Sequence, residues 1–148
     1  MELMGTSPKI DLSSPPLFLR MVNEPGFESC DKATFPQFLQ KPGLSLVVFI
    51  EDPNRMKETM DALVIAPELA KSCGHIEHKA VVGPPNARKL AVTYGFKRWP
   101  ALVFFRDGKY LGAVDGLRLW ADLVREADEI MHSEPHYPPS VGIPVRSI

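Results

Sequence analysis

Residues 87–114 constrain this chain more than any other stretch. Leu90, Ala91 and Tyr94 recur at helical spacing, Gly95 follows as a stop, and Trp99-Pro100 turns the backbone into the apolar run Ala101 to Phe105, which reverses at Asp107-Gly108. Glycine adopts the left-handed conformation that ends a helix without a Cβ penalty. An Asp-Gly pair between two apolar runs is a strong hairpin signal, because both central residues of a type I′ turn need positive φ. An aromatic residue before proline raises the cis fraction, and a cis bond would fix a tight turn at the strand entrance and expose the backbone just before it. Few folds place a helix, a proline-led strand and its antiparallel return in immediate succession.

The other residues must supply the core. At 148 residues and 45% hydrophobic composition, the chain can bury one core, and a second independent domain would be too small. The expected organisation is a flexible leader over residues 1–16, one domain over 17–132 and a proline-rich tail over 133–148. The leader holds Gly5, three prolines and four Ser or Thr without periodicity, and the tail holds four prolines. Neither can assemble a core of its own. Leu17 to Val22 can pair as a strand or pack as a helical turn.

Lys and Arg total 17 against 18 Asp and Glu, which implies no broad attraction to nucleic acid or anionic lipid. The longest apolar runs, Leu44 to Ile50 and Ala101 to Phe105, are too short to span a bilayer, and Glu2 stands where a signal sequence would carry basic residues. A cytoplasmic protein without membrane insertion is expected. Cys30 and Cys73 lie 43 residues apart, a spacing that suits neither a secreted disulfide framework nor a metal knuckle, so reduced thiols are expected.

Thr34 ahead of Phe35, Pro36, Phe38 and Leu39 reads as a capped short helix, its hydroxyl accepting a first-turn amide. Leu44 to Ile50 is almost continuously apolar, as a central strand covered on both faces would be. From Asn54 to Cys73, Met56, Met60, Leu63, Val64, Leu69 and Ala70 recur at helical spacing around a kinking Pro67, with Gly74 as the stop. Ile76 to Val82 is a second, parallel strand, and Asn86 is placed to cap the helix ending at Tyr94. After the hairpin, a helix ending near His132 sets Trp120, Leu123, Val124, Ala127, Ile130 and Met131 on one buried face, with Arg118, Asp122, Arg125 and Glu129 outward. The order βαβαββα calls for an α/β fold, a mixed sheet flanked by helices on both faces, and this resembles the thioredoxin topology.

A thioredoxin-type catalyst attacks with a thiolate at a helix start and resolves with a second thiol two residues on. Aligning the first long strand with the one preceding that motif puts Asn54-Arg55-Met56-Lys57 in its place, and none of these can form a disulfide. The position of the buried proton-transfer acid is Val48. Cys73 at a helix carboxyl end and Cys30 beside Asp31 are both poorly placed for thiolate formation, which favours packing thiols over a one-cysteine peroxidase. Cys73, His75 and His78 have metal-ligand chemistry within six residues, but the turn and strand they occupy point them apart, so neither metal nor other cofactor is expected.

Trp99 and Pro100 mark an edge that could pair with an extended peptide, or a structural turn with Trp99 in the core. Nearby Glu51, Asp52, Glu58 and Asp61 outnumber Arg55 and Lys57, leaving a local charge of −2 from Glu51 to Asp61. This is either an acidic rim for a basic peptide or a solvated helix face.

Three segments together suggest a family. Leu63 to Leu69, Tyr94 to Val103, and Asp107 to Val114 leading to Trp120 resemble the hydrogenase expression and formation proteins of the HyaE/HupG type, which lack the active-site cysteines. The resemblance spans Phe35 to Met131. It implies a non-enzymatic chaperone for the small, iron-sulfur subunit of a membrane-bound nickel-iron hydrogenase, recognising the precursor with its twin-arginine signal peptide before export. Partner-binding residues would then be Glu51, Asp52, Glu58, Asp61, Trp99 and Pro100. The competing readings are a thiol-dependent oxidoreductase or peroxidase using Cys30 or Cys73, and a redox-inactive adaptor for another complex. A sheet edge open to a client is equally open to a second copy, so a homodimer is compatible.

Overall fold

In the computed structural model, residues 26–51, 58–73, 75–84, 86–116 and 118–138 are described, with only the helical backbone for 58–60. The expected leader, Leu17 to Val22, Asn54 to Lys57, Gly74 and the end of the tail lie outside the described residues.

Strand β2 (Leu44–Phe49) is buried along its whole length. It pairs in parallel with β3 (His78–Val82) and antiparallel with β4 (Ala101–Arg106). Successive side chains on a strand point to opposite faces. Leu44, Leu46, Val48 and Ile50 therefore enter one apolar cluster, and Val47 and Phe49 the other. Helix α2 (Glu58–Cys73) supplies Ala62, Leu63, Ala66 and Leu69 to the first cluster and continues past Pro67. Helix α4 (Trp120–Met131) adds Leu123, Ala127 and Met131 to the same face. The second face is closed by α1 (Phe35–Phe38) and α3 (Asn86–Tyr94), where Phe35, Phe49, Tyr94 and Phe105 meet edge-to-face or tilted at 5.4–6.2 Å. Burial there pushes the Tyr94 phenol up to about 12.

Strand β5 (Lys109–Asp115) returns antiparallel to β4 through Asp107 and Gly108, both at positive φ (53° and 80°). A bulge between Phe104 and Phe105 shifts the register. A further short strand, β1 (Glu28–Cys30), pairs in parallel with β3 and completes the order β1-β3-β2-β4-β5. The apolar pattern of the sequence does not announce this strand. At three residues with only Cys30 buried, it is too short to show alternation.

Two local expectations change. Thr34 does not cap α1 with its hydroxyl. Asp31 Oδ1 accepts the Ala33 and Thr34 amides, each at 2.9 Å, while Thr34 Oγ1 accepts the Asp31 amide at 2.9 Å. This is a reciprocal capping arrangement begun three residues earlier, because Phe35 N–H already bonds Asp31 O at 2.9 Å.

Trp120 is not in the core; it is 45% exposed. A Cβ built on Gly112 would touch Ile130 Cγ2 at 3.1 Å, so the helix returns over β5 at that pair. Ten residues back along the helix cover about 15 Å. The strand, however, ends three residues after Gly112, or about 10 Å. The first turn of α4 therefore runs past the end of the sheet, and its correct helical phase still leaves Trp120 without a facing strand.

Ser133 to Pro138 of the tail lie against the sheet. Arg106 donates to the Met131 and Ser133 carbonyls, and His136 N–H donates to Tyr110 O at 3.1 Å. The His136 ring stands edge-on to Tyr110 at 5.3 Å.

Candidate functional site

Phe49 opposes Ala101, and Ala101 opposes Asp115, so β2 ends, β4 begins and β5 ends together at one rim of the sheet. The Trp99–Pro100 bond is cis. The turn is held by the end of β5. Asp115 Oδ2 accepts the Lys97 and Arg98 amides at 3.0 and 3.2 Å, and Gly116 N–H donates to Pro100 O at 2.7 Å. Gly116 needs its positive φ of 81° and its lack of a side chain, since a Cβ would meet Arg98 at 3.3 Å.

Trp99 stands between the core and solvent. One side of the ring packs against Phe96 at 5.1 Å, and the residue stays half-buried at the margin of the second cluster. Pro100 is buried beneath it. Among the described residues no group accepts the Trp99 main-chain N–H.

The acidic rim is corrected at Glu51. This residue is 2% exposed and its carboxylate pairs with the Arg88 guanidinium from the first turn of α3. A charge this deeply buried at the end of a central strand needs a partner, which the helix supplies. Asp61 is exposed on α2. Asp52 and the Glu58 side chain lie outside the described residues. The described charges on the turn itself are cationic, because Lys97 and Arg98 are exposed and Asp115 is engaged by their amides.

Neither thiol is placed for redox chemistry with the other. Cys30 is buried in the α1–α3 cluster, and Cys73 packs against the α2–α4 cluster on the opposite face. Burial first, then Glu28, pushes the Cys30 thiol up, and burial first, then Asp128, does the same for Cys73. Val48 sits in the apolar α2–α4 cluster, so the strand offers no acid there. His75 Nδ1 faces the Cys73 carbonyl and His78 Nε2 the Pro42 carbonyl. Among the described residues no group of three or more His, Cys, Asp or Glu is gathered to hold a metal.

Lys97 and Arg98, on the turn itself, were not among the residues expected at this rim.

Topology and rim together define a thioredoxin-like domain in which the two cysteines stand on opposite faces of the sheet. A solved structure, the J-Trx1 fragment of ERdj5, shares this fold with a TM-score of 0.58 and 21% identity, covering 76% of this chain and 56% of that one. The chain belongs to the HyaE family, described as hydrogenase-1 expression protein HyaE, which it matches over residues 17–123. Curated relatives include the hydrogenase expression/formation protein HoxO of Cupriavidus necator, 32% identical over 135 residues, covering 90% of this chain and 84% of that protein. HoxO of Azotobacter vinelandii is 29% identical with 86% of each chain covered, and HupG of Rhodobacter capsulatus is 32% identical over 78% of this chain and 85% of its own length.

Proposed function

We propose that this protein acts in hydrogenase maturation as a non-enzymatic assembly chaperone. Its client would be the small-subunit precursor of a membrane-bound nickel-iron hydrogenase, held in the cytoplasm with its twin-arginine signal peptide until export. The observation that carries the reading is membership of a family of hydrogenase expression proteins over residues 17–123. One further feature supports a binding role. The thiols sit on opposite faces with raised pKa values, which disfavours a thiolate nucleophile. Among the described residues no helix is long and apolar enough to cross a membrane. A chaperone must release its client, so an affinity in the micromolar range, about 8 kcal/mol, suits the task.

The test is co-purification with the precursor and, in parallel, with the same subunit lacking its signal peptide. Capture of the precursor alone assigns recognition to the signal peptide, and capture of both assigns it to the body of the subunit. Capture of neither removes the small subunit as client. A Cys30→Ser, Cys73→Ser variant should capture as well as the parent; loss of capture with the fold intact would revive a thiol-dependent mechanism.

A further inference from the structure

We propose that His75 and His132 form an open two-imidazole site for a borderline divalent transition ion of the zinc, nickel and copper class, where the carboxyl ends of α2 and α4 meet. The site owes nothing to the identity of the client, and ion binding is measurable without one.

His75 lies just beyond Cys73, the last residue of α2, and His132 directly follows Met131, the last of α4. The two helices cover the same face of the sheet, which brings their ends together. Both histidines are exposed, and their ring centres stand 6.2 Å apart with the planes tilted by 50°. Each ring is held by the same nitrogen. His75 Nδ1 faces the Cys73 carbonyl, and His132 Nδ1 faces the Asp128 carbonyl at 2.8 Å and the Asp128 carboxylate at 3.4 Å. Those oxygens only accept, so in the neutral rings Nδ1 carries the proton and Nε2 keeps its lone pair. Among the described residues no group donates to either Nε2. A carbonyl or carboxylate behind Nδ1 is also what fixes the tautomer and raises the basicity of a metal-binding histidine.

Donor type and spacing select the occupant. Two imidazoles on one ion, with metal–nitrogen bonds of about 2.0–2.1 Å, have ring centres about 5–6 Å apart. Small rotations of two exposed side chains close the observed separation. Imidazole nitrogen suits zinc, nickel and copper, whereas magnesium and calcium take oxygen ligands. The Cys73 thiol packs against the apolar α2–α4 cluster, and among the described residues no third His, Cys, Asp or Glu completes a cage. Two protein donors leave the other positions of the ion to water, which makes the site open rather than a closed structural one. The remaining histidines are engaged elsewhere, His78 Nε2 at the Pro42 carbonyl and the His136 ring edge-on to Tyr110. The fold thus parts His75 from its sequence neighbour His78 and pairs it with a histidine from the far end of the domain. An ion bound there ties two helix ends together and stabilises the folded chain by mass action.

The experiment uses the full, untagged chain and the zinc ion alone. Calorimetric titration compares the parent with His75→Gln and His132→Gln, and His78→Gln serves as the control because its Nε2 is already engaged. The expected result is one zinc per chain in the parent, at least tenfold weaker binding in each site variant, and parent-like binding in the control. Zinc should raise the melting temperature of the parent and leave that of the site variants unmoved, while metal-free melts establish that the variants fold. In the parent itself, zinc should shift the NMR resonances of the His75 and His132 Nε2 atoms and leave those of His78 and His136 in place, a reading that needs no variant. No zinc binding by the parent, equal affinity in the parent and both site variants, or shifts centred on His78 or His136 would overturn the proposal. The chaperone reading would stand in each of those cases, since it is tested by client capture.

Discussion

Asp31 and Thr34 show how much a single turn depends on which group donates. The Thr34 amide first, and then its hydroxyl, hold the Asp31 carboxyl below its ordinary value of 3.8. A carboxyl lowered in the fold stabilises the folded chain at pH values above the unfolded value, and that contribution is lost as pH falls through the folded one. Thr34→Ala removes the hydroxyl but keeps the amide, so Asp31 should move part of the way back toward 3.8. Carboxyl titration by NMR reads this directly, and an unmoved titration curve would remove the hydroxyl from the account. The polar cluster was legible in sequence, since Asp and Thr three residues apart before an apolar run announce a helix start. Its direction was not, because either hydroxyl or carboxylate can act as the cap, and only the early Phe35 to Asp31 bond decides.

Elements with strong internal signals emerged as expected. The central strand β2, the helix closed by Gly95 and the Asp107-Gly108 hairpin each carry enough apolar pattern or turn chemistry to specify themselves. The hairpin is also tied to the rest of the sheet: Asp107 Oδ1 accepts the Gly43 amide at 2.7 Å, and Asp107 N–H donates to Gly43 O at 2.9 Å. Gly108 lies at φ 80°, and a Cβ there would collide with the Leu39 carbonyl. Gly108→Ala should therefore destabilise the protein by about 1–3 kcal/mol, seen as a lower urea midpoint. At the opposite end of β5, Asp115→Ala frees the Lys97 and Arg98 amides. Its cost should be about 1–2 kcal/mol, with faster hydrogen exchange at those two amides and weaker client capture. Exchange rates equal to the parent's would mean that the turn is held by Gly116 alone. Trp120 was misplaced because its phase along α4 was right while the strand beneath it was too short, a relation between two elements that neither pattern contains.

For the whole molecule, the sheet has two edges, and a strand edge with unpaired main-chain groups invites a second chain. β5 is one of these edges, and the segment from Ser133 to Pro138 lies along it through the His136 to Tyr110 bond. Between this segment and the sheet is a groove of about 760 Å³ lined by Tyr94, Phe105, Tyr110, Pro135, Tyr137 and Pro138. A chain shortened to end at Ser133 should uncover both the edge and Tyr94 and Tyr110. Sedimentation should then show concentration-dependent self-association above that of the parent, and matching profiles would make the segment dispensable as an edge cover.

The sequence by itself determined the α/β order, the proline-led hairpin, the central position of β2 and the absence of a paired-thiol spacing, because each is written in residues close together along the chain. Tertiary structure alone decided that Glu51 is buried against Arg88, that Cys30 and Cys73 stand on opposite faces, and that Trp120 stays exposed at the start of α4. The physical reason is common to all three. Burial and charge pairing depend on where the strands end relative to the helices that cross them, and those lengths meet only once the sheet has formed.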